Sequence, residues 1–155
     1  MTTGRAYRRF LPHYENRDQT YFITFSSRNR RVLIPDARSV VLKEIVDRHR
    51  VFYYLQTAVV MPDHVHLLLR PCDTSLADIM KRVKGASARE VNRLLQDDGP
   101  FWQREYFDRQ IRSDEKIRAK GEYIAQNPVR AGIAASPDDY PWLWRVWIEG
   151  GDDWI

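Results

Sequence analysis

His64 and His66 flank a single apolar residue within residues 61–69, MPDHVHLLL, a run that reads as a buried β-strand. Side chains two apart on a strand point to one face. Both imidazoles are therefore presented side by side, while Val65, Leu67 and Leu69 face the other way. Two imidazoles so placed make half of a divalent-metal site, to which another element would add a third ligand, with positions left for solvent or a phosphate oxygen. Taken alone, the pair reads at least as well as two hydrogen-bonded core histidines.

A second chemical pair lies far along the chain. Tyr123 and Asn127 are spaced i and i+4, which puts them on one face of a helix. Singly they read as a packed aromatic and as the cap before Pro128. With the histidines they form a coherent set: a tyrosine serves as a covalent nucleophile, a metal polarises the group it attacks, and the asparagine oxygen supplies the third ligand.

Charge indicates which electrophile such a set would meet. The 155-residue chain carries a net +4 with a pI near 9.3. At its C-terminal end Asp138, Asp139, Glu149, Asp152 and Asp153 oppose Arg145 alone, a net of −4, so residues 1–137 carry +8. A basic body favours a polyanionic partner, and a phosphodiester is the electrophile it would attract.

Cys72 is the sole cysteine, which rules out a disulfide framework or a thiolate zinc cluster within one chain and suits a reducing cytoplasm. No signal-peptide core is visible, and no apolar run approaches the roughly 20 residues of a membrane span. A cytoplasmic, nucleoid-associated protein with no membrane partner is expected. Length and 43% hydrophobic content predict one domain over residues 1–155, with a basic arm at 1–18 and a Trp-rich tail at 133–155 that packs on the body.

The elements that must position the site follow from periodicity. Residues 19–27 alternate as a first strand, with Tyr21, Ile23 and Phe25 on one face and Phe22 and Thr24 on the other. Asp36 is the expected N-cap of a first helix. Residues 51–60 and 64–70 read as two strands of a hairpin turned at Met61-Pro62-Asp63. A second helix opens at Asp73, Thr74 or Ser75, with an apolar stripe on one side and Lys81, Arg82, Lys84, Arg89 and Arg93 on the other. Residues 106–112 give a fourth strand, and Ser113-Asp114-Glu115 opens a third helix carrying Ile117, Lys120, Tyr123, Ile124 and Asn127. This order predicts an α+β fold, a ferredoxin-like split βαβ antiparallel sheet with an added C-terminal helix carrying the tyrosine.

The combination of MPDHVHLLL, a basic helix and YIAQNPVRAGI resembles the single-tyrosine HUH transposases, in particular their REP-associated tyrosine transposase branch, from about residue 20 to about residue 144. The resemblance implies that His64 and His66 bind Mg²⁺ or Mn²⁺ on the central strand, that Tyr123 is the catalytic nucleophile, and that Asn127 assists the metal. Two departures stand out. Asp63 occupies a position that is often Asn, placing a carboxylate beside the first histidine, and Pro141-Trp142-Leu143-Trp144 lacks the serine pair often found there.

The activity implied is metal-dependent nicking and strand joining of single-stranded DNA beside hairpins (REP-like palindromes), through a covalent 5′-phosphotyrosine at Tyr123. Lys120, one turn before Tyr123, and Asp63 are accessory candidates, with Lys120 also readable as a solvated side chain. Phosphate contacts are expected from Arg28, Arg30, Arg31, Lys81, Arg82, Lys84 and Arg104, and base stacking from Trp102 and Tyr106. A monomer is favoured over a dimer. Two other readings compete: a non-catalytic hairpin-binding module for DNA or RNA, and a metal nuclease that uses water.

Overall fold

The computed structural model describes residues 19–112 and 114–150. The expected basic arm at 1–18, Ser113, where a helix cap is expected, and the last residues of the tail, 151–155, lie outside them, as do the side chains of Asp114 and Glu115. Five strands and four helices follow one another: β1 (Thr20–Ser26), α1 (Pro35–Val46), β2 (Tyr53–Val60), β3 (His64–Pro71), α2 (Leu76–Leu95), β4 (Phe107–Ile111), α3 (Asp114–Ala125), α4 (Asn127–Arg130) and β5 (Leu143–Arg145). The sheet order is β4-β1-β3-β2-β5, antiparallel throughout. Its first four strands are the ferredoxin-like split βαβ arrangement, and β5 is an extra edge strand contributed by the tail.

The sheet separates two cores. Tyr21, Ile23, Phe25, Val65, Leu67 and Leu69 alternate along β1 and β3 onto the face covered by α1 and α2. The opposite face is sealed over β2 and β3 by Val59, Leu68, Ile124, Ala125, Tyr140 and Leu143, where α3 and the tail lie. Burial on both faces explains why β2 shows no alternation of apolar and polar residues: all eight are buried, Gln56 and Thr57 included. Each fully buried aliphatic side chain here contributes about 1.5–3 kcal/mol.

Gly121 sets how closely α3 approaches the sheet. A Cβ at this position would lie 2.8 Å from Thr57 Oγ1 and 2.9 Å from Trp147 Cη2, so only glycine lets the helix settle against β2. The tail is tied down by hydrogen bonds from Tyr140 Oη to the Val60 carbonyl (2.6 Å) and from Trp142 Nε1 to Ser39 Oγ (2.9 Å). No helix among the described residues is long and apolar enough to cross a membrane.

Three local expectations are corrected. Ile34, not Asp36, is the N-cap of α1: Pro35 takes the first helical position, which needs no N–H donor, and Asp36 falls in the first turn, where its charge still favours the helix dipole. The first hairpin strand starts at Tyr53, because Arg50 turns the chain with φ 71° and Val51 is exposed. Tyr123 and Asn127 do not share one unbroken helix, since α3 ends at Ala125 and α4 begins at Asn127. Pro128 has no N–H to continue the α3 hydrogen-bond ladder.

Candidate active site

The site is built on the sheet face that α3 only partly covers. Thr24 pairs with His66 and Ser26 with His64 across β1 and β3, so short polar side chains stand beside each imidazole. Thr24 Oγ1 lies 2.8 Å from His66 Nδ1 and Asp63 Oδ1 lies 2.7 Å from His64 Nδ1. Each ring is thereby oriented through one nitrogen and keeps Nε2 for another partner, the arrangement typical of metal-binding histidines. The two ring centroids are 4.8 Å apart, with planes at 78°. Imidazoles that share one ion at about 2.1 Å from each nitrogen need centroids roughly 5 Å apart, a spacing this pair meets.

Electrostatics favour the ligand form. Burial first, then the neighbouring charges of His64, Lys120 and Arg130, draw the His66 pKa down to about 3, which keeps the imidazole neutral at physiological pH. Partial burial of Asp63 works against its charge, but bonds to His64 and Arg30 prevail and hold its carboxyl below the ordinary carboxylate range. Arg30 reaches Asp63 Oδ2 at 3.0 Å from a turn in which both Asn29 and Arg30 take left-handed backbone conformations, with φ 56° and 54°. Such conformations cost about 1–2 kcal/mol each. Here they aim the guanidinium back at the histidine end of β3.

α3 brings the tyrosine to the same face. Phe22 stacks on His66 with centroids 5.5 Å apart; Lys120 Nζ lies 4.2 Å from the Phe22 ring centroid and 4.8 Å from that of Tyr123. A continuous stack thus runs from His66 through Phe22 and Lys120 to Tyr123, which is 55% exposed. Burial, with Arg109 and Arg130 nearby, lowers the Lys120 pKa. Asn127 donates from Nδ2 to the Ile124 carbonyl (3.1 Å), a bond that does not use Oδ1, the ligand atom of this side chain suited to a hard cation. No group of three or more His, Cys, Asp or Glu that could hold a metal exists among the described residues.

The remaining site candidates divide by location. Arg28 and Arg104 border an open cleft with Asn29, Pro100, Trp102 and Gln103, at the end of β1. Arg30 is tied to Asp63, and Arg31 pairs with Asp97 at 3.2 Å. Lys81 and Arg82 are exposed on α2, where the Arg82 guanidinium lies over Phe52. Lys84 donates to the carbonyls of Gln103 (2.6 Å) and Arg104 (2.9 Å), and burial pulls its pKa down to about 8 despite Glu105. It fastens the connector that carries Tyr106. Trp102 is 5% exposed, donates from Nε1 to Ser87 Oγ at 2.9 Å and packs edge-on against Phe25 and Phe101, so its ring belongs to the core and has no free face for a base.

Sequence reasoning passed over Thr24, Phe22 and Arg130. The first two follow from strand register, which alternation alone does not supply. Arg130, whose guanidinium carbon lies 3.9 Å from the centre of the Tyr123 ring, stands three residues after Asn127, and that short spacing was its only sequence signal.

The family model described as "Transposase IS200 like" matches residues 16–127. A curated protein of Haemophilus influenzae, carried under the provisional name REP-associated tyrosine transposase, is 28% identical over 94 residues, covering 54% of this chain and 53% of its own. The chain therefore spans about half the length of that relative. A solved structure of a REP-associated tyrosine transposase bound to a REP hairpin superposes with a TM-score of 0.63 at 23% identity, over 84% of this chain and 78% of that one, and bears on the fold alone.

Proposed function

The chain belongs to the IS200-like transposase family, and from that premise we propose that it nicks and rejoins single-stranded DNA at hairpin-associated sites, with Tyr123 as a covalent nucleophile. The observation that carries the reading is the stack joining Tyr123 to His66 through Lys120 and Phe22, which sets an accessible phenol beside a pair of oriented imidazoles, the nearer of which, His66, is held neutral by burial.

In the proposed reaction Tyr123 Oη attacks the scissile phosphorus in line. The Oη–P bond forms, the P–O3′ bond breaks, the phenolic proton passes to solvent and the departing 3′ oxygen takes a proton from solvent. The product is a 5′-phosphotyrosine that retains the phosphoester, so a second 3′-OH can reverse the step and join strands without a nucleotide triphosphate. His64 and His66 would hold Mg²⁺ or Mn²⁺, with Asn127 Oδ1 as a third ligand. Such an ion supplies charge stabilisation to the phosphoryl oxygens. Thr24 and Asp63 fix the imidazole orientations, and the two core faces hold β3 rigid beneath them.

DNA contacts are proposed at Arg28 and Arg104, which border the cleft at the end of β1, and along the exposed Lys81 and Arg82. Arg30 and Lys84 act within the protein, as an Asp63 partner and as a loop clamp. A hairpin of the REP type, as in the structurally similar complex, is the proposed substrate.

The test is to incubate the protein with end-labelled, hairpin-bearing single-stranded DNA and Mn²⁺ and look for a denaturation-resistant adduct. An adduct that disappears in Tyr123→Phe supports the transesterase. Cleavage without an adduct would instead identify a nuclease that uses water, and binding alone a recognition module.

A further inference from the structure

Tyr123 is an exposed side chain on a helix surface, and its hydroxyl has no hydrogen-bond partner among the described residues. An exposed tyrosine of this kind would sample several rotamers, which is a poor property in a nucleophile that must meet a phosphorus in line. We infer that Arg130 is the positioning residue for Tyr123, its guanidinium lying over the ring 3.9 Å from the centroid and holding the phenol toward the histidine face. The inference rests on the reading of Tyr123 as nucleophile and adds a residue to it.

Three observations support the assignment. The contact is the closest cation–ring approach among the described residues. Its backbone is continuous with the tyrosine's: Gln126 N donates to the Tyr123 carbonyl (3.2 Å) and Arg130 N to the Gln126 carbonyl (2.9 Å), so the junction of α3 and α4 fixes the guanidinium relative to the ring. Finally, Arg130 forms no ion pair with any described carboxylate, whereas Arg30, Arg31, Arg93 and Arg118 each have one.

A guanidinium stacked on a phenol, with no ion-pair partner among the described carboxylates, keeps its in-plane N–H donors for an anion. The same group therefore restricts the ring and presents positive charge beside the oxygen that attacks in the forward step and leaves in the reverse. Lysine would retain the charge but not the flat stacking surface. This also gives α4 a purpose beyond carrying Asn127: the break at Gln126 brings the fourth residue of the short helix back over the tyrosine of the preceding one.

Single-turnover adduct formation on hairpin-bearing single-stranded DNA with Mn²⁺ tests the inference, alongside DNA affinity across a salt series and thermal midpoints. Arg130→Gln is expected to slow adduct formation by roughly 10- to 100-fold with DNA affinity changed less than threefold, and Arg130→Lys to recover only part of the rate. Rejoining should slow in parallel. Unchanged rates in Arg130→Gln would overturn the inference, as would full recovery by Lys or a loss confined to affinity with a shallower salt slope, which marks a phosphate anchor. No adduct from the unaltered protein, with Tyr123→Phe as reference, would sink the transesterase reading itself and the nucleophile that Arg130 positions.

Discussion

The two faces of the β1–β3 pair share one backbone and one register, yet they serve different ends. Toward α1 and α2, Tyr21, Ile23, Phe25, Val65, Leu67 and Leu69 are all buried and interchangeable in kind. Toward α3 and α4, Phe22, Thr24, Ser26, His64 and His66 are all half-buried, and each has a specific partner or ring contact. A face that excludes water can trade one aliphatic group for another at modest cost, whereas a face that orients imidazoles through single hydrogen bonds cannot. The difference arises from cover: two helices close the first face, while α3 stops at Ala125 and, among the described residues, nothing closes the β1 side of the second.

Substitutions on the two faces should therefore separate stability from chemistry. Tyr123→Phe is expected to abolish adduct formation, a loss of about 10³-fold or more in labelled-DNA gels, with an unchanged thermal midpoint because the side chain is exposed. An adduct at even a tenth of the normal level would break the contrast. His66→Ala should remove metal-dependent activity by a comparable factor and abolish Mn²⁺ binding by titration calorimetry. Leu67→Ala, one residue away and fully buried on the other face, should cost about 2–5 kcal/mol in denaturant unfolding while the folded fraction binds Mn²⁺ normally.

The histidine face should also make stability depend on pH. His66 has a pKa of about 3 in the folded chain against 6.5 for the free side chain, so between those values the unfolded chain takes up a proton that the folded one refuses. Metal-free protein should lose stability as pH falls below about 6.5, with a limiting slope of about 1.4 kcal/mol per pH unit from this group. His66→Gln should flatten that slope in urea titrations; an unaltered slope would show that the imidazole is not held neutral.

Thr24→Val removes the His66 partner without changing shape and should weaken Mn²⁺ binding about 10- to 100-fold. Smaller still is the effect of Gly121→Ala. It forces α3 away from Thr57 and Trp147, and should slow adduct formation by roughly tenfold while costing about 1–3 kcal/mol.

Much of this was legible in the chain. The alternation in residues 19–27 and 64–70 and the basic amphipathic second helix predict the four-strand sheet and the face on which His64 and His66 lie, because period and composition are local properties. The place of Trp102 was not legible: its type suggests a stacking platform, but the bridge between Ser27 and Trp102 and the bond to Ser87 draw it into the core. Nor were Arg30 and Lys84, whose charges suggest phosphate contacts and whose partners, Asp63 and the 103–104 carbonyls, lie 33 residues and about 20 residues away along the chain.

By itself, the sequence determined which groups are available: two imidazoles in phase on a strand, a phenol and a carboxamide four residues apart, and a body with excess positive charge. Only the tertiary structure decided which of them meet. Register across β1 and β3 chose Thr24 as the partner of His66, the glycine contact at β2 set the height of α3 over the sheet, and the break between α3 and α4 turned Arg130 onto Tyr123. These are long-range packing choices, settled by how the elements bury their apolar faces against one another, and no local pattern of residue types encodes them.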